Sequence, residues 1–404
     1  VTTKAKTYFV SQKMNNDNEV SLTIGGSVFI NWTSFSITTE LNTISPAFSA
    51  GIVTTTGALK PNVKIGDDVQ VRIGKNIVLT GYIEQTPVSY SATSANVGIA
   101  GRSKTCDLID CTVMVDDPNI SYEKPNTSNS NYVSCPQNAA TEYKNVALET
   151  IIAQLIMPYG IKLVNETKPL TKKRNFSAKH EDTVLKALQN LTSTENLLFY
   201  GNEKGDLVVT EKGKLTADDA LVLGQNIFTG DASFDASKIY KYYRAVGQDK
   251  GVTGKTGHAA SSHNYTAVDD NVSRTRLLTK KVQGAADTAK CKVTAEGDRD
   301  YNRDQYFKIT YKVQGWRQST GKLWKINSLV DIKDDFLDID TQKSQKFLIT
   351  RVVFNLTENE GMTTTLDVIP PNGWRLETEN DKEDPKKVII KKSSNSSADF
   401  SWIN

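Results

Sequence analysis

The sequence predicts an α+β protein that is mainly β, with two similar small antiparallel β-barrels, an inserted α+β domain and an extended C-terminal arm. Three observations predict this class. Short segments in which apolar and polar residues alternate occupy both halves of the chain, and alternation with period two is typical of half-buried strands. Two segments in the middle carry apolar residues at helical spacing, each followed by a strand pattern. The last residues are charged and polar, and such a composition buries too little apolar surface to fold alone.

A chain of 404 residues is too long for one hydrophobic core, so several domains are expected. The predicted units are a first barrel at 1–105, the α+β domain at 106–225, a second barrel at 226–248 and 305–370, an insertion at 249–304, and the arm at 371–404. The insertion combines a Gly/Ser/Thr-rich flexible loop with a helix that is expected to pack on the α+β domain.

Two hairpins define the first barrel. The segments V-S-L-T-I and S-V-F-I-N-W flank Gly25-Gly26, and the segments V-Q-V-R-I and I-V-L-T-G flank Gly74-Lys75-Asn76. Alternation around a short Gly/Asn turn predicts a β-hairpin at each place. Gly81 takes an inward position in its strand, where the missing side chain lets a neighbouring backbone come close. A third strand, containing Val97 and Ile99, ends at Gly101.

Helices and strands follow one another in the middle of the chain. The first helix is predicted to begin at an Asn145 N-cap and to end at Pro158 and Gly160. The second begins near Asp182 and leads into a hairpin that turns at 202–205. A third helical pattern covers 285–301.

The strand patterns after the third helix repeat those of the first barrel. The segment N-S-L-V-D-I precedes F-L-I-T-R-V much as D-D-V-Q-V-R-I precedes L-T-G-Y-I, and a polar gap and one more strand follow in both places. We therefore predict that the two barrels share one architecture.

Three motifs occur in order between Gly66 and Cys111: G-D-x-V-x-V-x-I, L-T-G-Y-I and G-R-S-K-T-x-D-L-I-D-C. Together they resemble the Mu-type phage tail protein P family, the baseplate hub proteins of contractile-tailed phages. The resemblance extends to Gly-Trp followed by Gly-x-Leu-Trp-x-x-Asn in the second barrel. It implies structural roles for Gly66, Asp67, Gly81, Gly101, Arg102, Asp107, Asp110, Trp316, Trp324 and Asn327.

The resemblance implies a homotrimeric hub that joins the hexameric tail tube to the trimeric central spike and encloses a channel for DNA. Two similar barrels in each of three chains would match a three-fold object to a six-fold one. The implied partners are the tube proteins, the spike and other baseplate proteins. The implied location is the tail baseplate of a virion or tail-like particle, assembled in the host cytoplasm. A fused hub and spike, as in type VI secretion, is a variant of the same hypothesis, and a separate spike is favoured because no spike-like repeat occurs in the sequence.

Composition excludes some other classes. With 49 basic and 46 acidic residues the chain lacks the basic excess of a dedicated nucleic-acid binder, so DNA is expected to pass without being specifically bound. No apolar run approaches the roughly 20 residues that span a bilayer. The first residues include no hydrophobic segment of signal-peptide length, and we expect a protein that is made and kept in a cytoplasm.

The sequence indicates no catalytic, cofactor-binding or metal-binding residue, and we predict no enzymatic activity. The cysteines at 106, 111, 135 and 291 lack the paired spacing of a metal site and are expected to be free thiols. The segment G-V-T-G-K-T-G resembles a phosphate loop but has Asp249 where the first glycine is needed. His258 and His263 are five residues apart, which does not suit a helical metal pair.

Two alternatives come from other functional classes. Trp316 and Trp324 would form a sugar platform if exposed, which would indicate a carbohydrate-binding β-module. The acids at 331, 334, 335, 338 and 340 could serve a cell-wall hydrolase in the baseplate. We interpret the tryptophans as barrel-packing residues and the acids as a solvated face. The apolar residues near the C-terminus, Phe400, Trp402 and Ile403, are interpreted as anchors of an arm that docks on a partner.

Overall fold

A computed structural model describes residues 7–8, 17–41, 43–55, 63–115, 141–192, 197–248, 262–341 and 346–371. Nine strands and a short helix occupy the first region: β1 (Thr7–Tyr8), β2 (Val20–Ile24), β3 (Ser27–Phe29), β4 (Ser34–Glu40), β5 (Thr43–Thr55), β6 (Asp68–Ile73), β7 (Asn76–Gln85), β8 (Val88–Tyr90), β9 (Ser94–Ser103) and α1 (Asp107–Asp110). Both predicted hairpins are present, as β2–β3 and β6–β7. Gly25 and Gly26 have φ of 54° and 80°, which the tight turn between β2 and β3 requires.

The second region contains β10 (Glu142–Ala147), α2 (Leu148–Ile156), β11 (Leu163–Asn165), β12 (Lys173–Ser177), α3 (Val184–Thr192), β13 (Leu198–Gly201) and β14 (Leu207–Thr210). Strand β11 pairs in parallel with β14, β14 pairs with β13, and β10 pairs with β12. Residues from α2 and α3, among them Ile151, Ile152 and Leu188, form the core of this region.

The predicted N-cap of the first helix is in a different place. Asn145 lies inside β10 with φ of 57°, and α2 begins at Leu148 with Ala147 as its N-cap. The strand β10 shifts register between Tyr143 and Val146. Asparagine tolerates a left-handed backbone, which suits a bulge as well as a helix start, so the residue type alone does not distinguish the two. Gly160, at φ of 67°, follows the end of the helix as predicted.

The remaining elements are β15 (Leu215–Thr216), β16 (Leu221–Val222), β17 (Ile227–Phe234), β18 (Tyr242–Gln248), β19 (Ser262–Val268), β20 (Leu277–Ala285), α4 (Thr288–Tyr306), β21 (Phe307–Gln314), β22 (Ser328–Val330), β23 (Ile332–Asp334), β24 (Ile339–Asp340), β25 (Phe347–Thr357) and β26 (Gly361–Ile369). We call residues 20–103 the first β-module, and residues 215–234 with 307–369 the second β-module.

Part of the predicted second barrel belongs to a separate small sheet. The segment 226–248 is divided, because β17 pairs with β21 of the second β-module whereas β18 pairs with β19 and β20. Helix α4 packs on this three-stranded sheet through Cys291 and Ala295, whereas we expected it to pack on the α+β region. No α4 residue belongs to the core cluster of that region in the part of the chain that the structure describes. The density of tyrosine and valine in β18 predicts a strand but carries no information about its partner.

The chain is mainly β with an α+β part, as predicted, but its two β-modules are not separate closed barrels. Among the described residues they form one sheet of 15 strands, whose main path runs β1-β3-β2-β6-β7-β9-β5-β4-β25-β26-β21-β17. The path has two ends, and the pairing of β4 with β25 joins the modules. One hydrophobic core cluster extends through both, from Leu22 and Ile37 to Tyr311 and Leu366.

The two β-modules repeat one strand order. In the first, the pairs are β4–β5, β5–β9, β9–β7 and β7–β6. In the second, they are β17–β21, β21–β26, β26–β25 and β25–β22, which is the same series taken in the same chain order. A register shift falls between Ile83 and Gln85 in β7 and at the corresponding place between Ile349 and Arg351 in β25. The topology therefore agrees with the shared architecture predicted from the sequence.

Candidate functional site

Two glycines of the motif mark a close approach of β7 and β9. A Cβ at Gly81 would lie 2.7 Å from the carbonyl carbon of Arg102 and closer still to its oxygen. A Cβ at Gly101 would lie 3.0 Å from the carbonyl carbon of Tyr82 and would overlap its oxygen. Each glycine therefore lets the opposite backbone come into contact, which agrees with the prediction for Gly81.

Arg102 connects the first β-module to the start of the α+β region. Its guanidinium group forms ion pairs with Glu84 on β7 at 2.6 Å and with Asp110 on α1 at 2.5 Å. The hydrogen bonds to Glu84 and Asp110 raise the pKa of Arg102, so the cation is held at every accessible pH. All three side chains are partly exposed, and the contribution of the cluster to stability is accordingly moderate.

We expect Arg102→Met to lower the free energy of unfolding by about 1 kcal/mol, because two partly exposed ion pairs are lost. Arg102→Lys should recover part of this loss, since an ammonium group lacks the planar fork that contacts both carboxylates. Urea denaturation at low and high ionic strength measures the effect. Salt screens partly exposed pairs, so the difference between wild type and Arg102→Met should shrink at high salt. A difference that is independent of salt would contradict an ionic origin.

Gly66 and Asp67 form the turn before β6. Gly66 has φ of 91°, and its N–H donates to the carbonyl oxygen of Ile83 at 2.8 Å. The carboxylate of Asp67 accepts from the N–H of Lys64 at 2.9 Å, and its carbonyl oxygen accepts from the N–H of Ile83. The Gly-Asp pair therefore anchors this turn to β7.

Asp107 begins helix α1 beside a buried thiol. The Cys106 thiol donates to the Asp107 carboxylate at 3.7 Å, and burial raises the pKa of both groups, that of Cys106 to about 12. The thiol is therefore protonated at neutral pH and is a poor nucleophile. Cys106, Cys111 and Cys291 are free, as predicted, and Cys135 lies outside the described residues.

Trp316 lies where the two β-modules meet. It is 1% exposed, and its ring contacts Phe35 of β4 and Phe354 of β25 at centroid distances of 6.1 and 6.5 Å. Its indole N–H donates to the carbonyl oxygen of Asn355 at 2.9 Å. Trp324 is also buried, at 4% exposure. Both residues belong to the hydrophobic core, which agrees with their interpretation as packing residues.

Asn327 links the α+β region to the second β-module. Its φ is 59°, and its backbone N–H donates to the carbonyl oxygen of Ile349 at 2.9 Å. Its amide side chain accepts from the N–H of Gly213 at 2.7 Å and donates to the carbonyl oxygen of Glu211 at 2.8 Å. A single side chain thus fixes the connection that leads from β14 to β15.

The sequence did not indicate the junction between the modules. Strand β4 pairs antiparallel with β25, with Ile37 opposite Phe354 and Phe35 opposite Leu356. Arg317 adds a second connection, because its guanidinium group donates to the side chains of Asn18 and Asn76 and to the carbonyl oxygens of Asp17 and Ile73 in the first β-module. Alternation shows which side of β4 is apolar, but no local pattern shows which strand lies at its edge.

The acidic segment is divided between buried and surface positions. Asp334 is buried, accepts from the Tyr311 hydroxyl at 2.7 Å and also accepts from the N–H of Phe336. Asp331 forms an ion pair with Lys346 at 2.7 Å and is only partly exposed. The interpretation as a uniformly solvated face is therefore wrong for Asp334, whose carboxylate caps the turn between β23 and β24. The alternation of acids with Val330 and Ile332 does not predict the burial of Asp334, because side chains stop alternating between the two faces of the sheet where the strand ends in a turn.

The other candidates from the sequence carry no site in the part of the chain that the structure describes. No group of three or more His, Cys, Asp or Glu side chains there could hold a metal ion. No helix in those residues combines the length and the apolar character needed to cross a bilayer. The phosphate-loop-like segment, His258 and the anchors Phe400, Trp402 and Ile403 lie outside the described residues.

Family models match the chain at three places in order. The N-terminal domain of Mu phage baseplate assembly protein GpP-like proteins matches residues 19–103, and the second domain of gp44-like baseplate hub proteins matches residues 132–211. The fourth domain of Mu phage baseplate assembly protein GpP matches residues 286–377. The first match contains Gly66, Asp67, Gly81, Gly101 and Arg102 and ends before Asp107 and Asp110. The third contains Trp316, Trp324 and Asn327.

Complete proteins are similar over most of the chain. The baseplate hub protein gp44 of Escherichia phage Mu is 28% identical over 378 residues, which are 91% of this chain and 92% of that protein. The 43 kDa tail protein of prophage MuSo2 from Shewanella oneidensis has the same fold, with a TM-score of 0.74, 24% identity and coverage of 88% of this chain and 100% of its own. The tail protein of Neisseria meningitidis MC58 aligns with a TM-score of 0.71, 19% identity and coverage of 88% and 97%. Because three domain models of these proteins match the chain one after another, the chain belongs to the family of Mu-type phage baseplate hub proteins.

Proposed function

We propose that the protein is the homotrimeric hub of a phage tail baseplate and that it joins the hexameric tail tube to the trimeric central spike. Family membership supports a place in the baseplate. The duplicated topology supports the adaptor role, since each chain contributes two β-modules with the same strand order. Three chains then present six similar β-modules to the tube, and the three whole chains present a three-fold arrangement to the spike.

The contact between the modules is the observation that carries the proposal. Strand β4 of the first module adds to β25 of the second along one edge, so the contact is head-to-tail and joins different surfaces of similar units. A head-to-tail contact generates a ring if the rotation closes. A ring of six modules requires three chains, and its centre provides the channel through which DNA passes. Because the net charge is only +3, we propose that DNA is not specifically bound on the way.

We propose a structural role without enzymatic activity, in contact with the tube, the spike and other baseplate proteins of a virion assembled in the host cytoplasm. Trp316 and Trp324 are buried and offer no platform for a sugar, so no observation favours a carbohydrate-binding module. Asp334, one of the five acids considered for a hydrolase, accepts hydrogen bonds from the Tyr311 hydroxyl and from backbone N–H groups, which gives this carboxylate a structural role. The residues 371–404 are proposed to form an arm that docks on a neighbouring chain or on the spike.

Light scattering on the purified protein tests the proposal. The expected mass is three times 44.6 kDa, and negative-stain electron microscopy of the same sample should show rings with a central hole. A mass that stays at one chain up to high protein concentration would contradict the trimer. A trimer without a hole would contradict the channel and leave the trimer in place.

A further inference from the structure

Strands β17 and β8 each have an edge that pairs with no strand among the described residues. Strand β17 pairs with β21, and apart from a bridge between Ile227 and Leu223 its other edge is unpaired. Strand β8 pairs only with β9. Large apolar side chains are exposed on both strands, with Val88 and Tyr90 at 44% and 80% and Phe228 and Phe234 at 55% and 53%. An unpaired edge with exposed apolar residues is a template for pairing with another chain.

The repeat identifies what fits these edges. Strand β17 occupies in the second module the place that β4 occupies in the first, and β7 with β8 occupies the place of β25. The register shift that both modules share aligns Ile83 with Ile349 and so places Val88 at the position of Phe354. Ile37 pairs with Phe48 of β5, and Ala232 pairs with Ile309, which has the equivalent position in β21. Ala232 therefore has the position of Ile37.

We propose that β17 of one chain pairs antiparallel with β8 of the next chain, in the register that β4 and β25 use within the chain. This inference rests on the proposed trimer and names the strands that hold it together. Ile37 lies opposite Phe354 inside the chain, so Ala232 lies opposite Val88 of the neighbour. By the same count, Gly230 lies opposite Tyr90 and Phe234 opposite Thr86.

The backbone directions on the two edges fit this register. The carbonyl oxygen of Pro87 accepts from the N–H of Gly98 at 2.7 Å, so Pro87 faces β9 and its neighbours Thr86 and Val88 face outward. The N–H of Asp235 donates to the carbonyl oxygen of Tyr306 at 3.0 Å, so alternation turns Phe234 and Ala232 outward. Outward-facing residues therefore lie opposite each other. The missing N–H of Pro87 falls on the side that is already paired.

The side chains fit as well. Within the chain, the pairing buries Ile37 and Phe354 to 1% and 7% exposure, while their counterparts Ala232 and Val88 are exposed. Pairing between chains would cover Val88 and Tyr90 in the same manner. No like charges meet, because Asp231 lies opposite Ser89 and Asp235 opposite Gln85. The contact thus gains apolar burial without an electrostatic cost.

Cysteine cross-linking tests the register. Ser89 and Asp231 form a non-hydrogen-bonded pair in this arrangement, with Cα atoms about 4.5 Å apart, which suits a disulfide. Under mild oxidation Ser89→Cys/Asp231→Cys should form covalent trimers at least about tenfold faster than Ser89→Cys/Ser233→Cys, whose cysteines are displaced by two residues along the strand. Wild type and the single variants under the same oxidation measure the background from the native cysteines.

Ala232→Pro tests the contact without a cross-link. The Ala232 N–H faces outward, so proline removes a donor to the neighbouring chain and leaves the β17–β21 ladder intact. The trimer should dissociate at least about tenfold more readily, whereas Ala232→Val, which keeps the N–H, should not weaken it. A wild-type trimer that shows no preference between the cysteine pairs and is unaffected by Ala232→Pro would overturn this inference and leave the proposed function standing. A monomeric wild type would overturn both.

Discussion

Replacing Gly81 by alanine should lower the free energy of unfolding by more than about 3 kcal/mol, the range reached when backbone must move to admit a side chain. The new Cβ would meet main-chain atoms of Arg102 and Ser103, and these atoms belong to the β7–β9 ladder. They cannot move away without breaking the pairing of the two strands. Guanidinium denaturation followed by far-UV circular dichroism measures the effect, with a lower midpoint expected for the variant.

Gly51→Ala is the matched control in the same sheet. A Cβ there would meet the hydroxyl oxygen of Ser34 at 2.6 Å, and this is a side-chain atom that can rotate away. The expected cost is below about 1 kcal/mol. Gly101→Ala should destabilise the protein about as much as Gly81→Ala. The double variant Gly81→Ala/Gly101→Ala should lower the free energy of unfolding by less than the sum of the two single effects, because both substitutions disturb the same close approach of β7 and β9. Equal midpoints for Gly81→Ala and Gly51→Ala would contradict this account.

The sequence predicted what local patterns determine. The hairpins at Gly25-Gly26 and at Gly74, the end of α2 at Gly160 and the inward position of Gly81 follow from alternation and turn chemistry within a few residues. The shared architecture of the two β-modules was also visible, because the similar spacing of strands is itself a pattern in the sequence. The burial of Trp316 and Trp324 followed from the family motif rather than from residue type, since tryptophan also occurs on binding surfaces.

The sequence could not predict which distant edges meet. The pairing of β4 with β25 joins residues about 315 positions apart in the chain, and neither strand carries a signal for the other. The separate sheet of β18, β19 and β20 was missed for the same reason, since strand propensity in Tyr242–Gln248 does not specify a partner. Asp334 shows the limit at a single residue. Its burial depends on Tyr311, which reaches it from another strand.

Trp316→Ala should lower the free energy of unfolding by about 3–5 kcal/mol, the usual cost of removing a buried aromatic ring. The ring lies between Phe35 of the first β-module and Phe354 of the second, so the cavity would open where the modules join. Chemical denaturation measures the loss, and far-UV circular dichroism is the suitable probe because it does not depend on the tryptophan removed.

Trp316→Phe separates the hydrogen bond of the indole from its packing. Phenylalanine keeps much of the ring but loses the N–H that donates to the carbonyl oxygen of Asn355, leaving a buried acceptor without that donor. Loss of this hydrogen bond should lower the free energy of unfolding by about 1–2 kcal/mol beyond the effect of the smaller ring. Trp324→Phe is the matched control, because the buried indole N–H of Trp324 has no hydrogen-bond partner among the described residues and its loss removes no such bond. The cost of Trp316→Phe should therefore exceed that of Trp324→Phe, and the reverse order would show that the bond to Asn355 does not stabilise the junction.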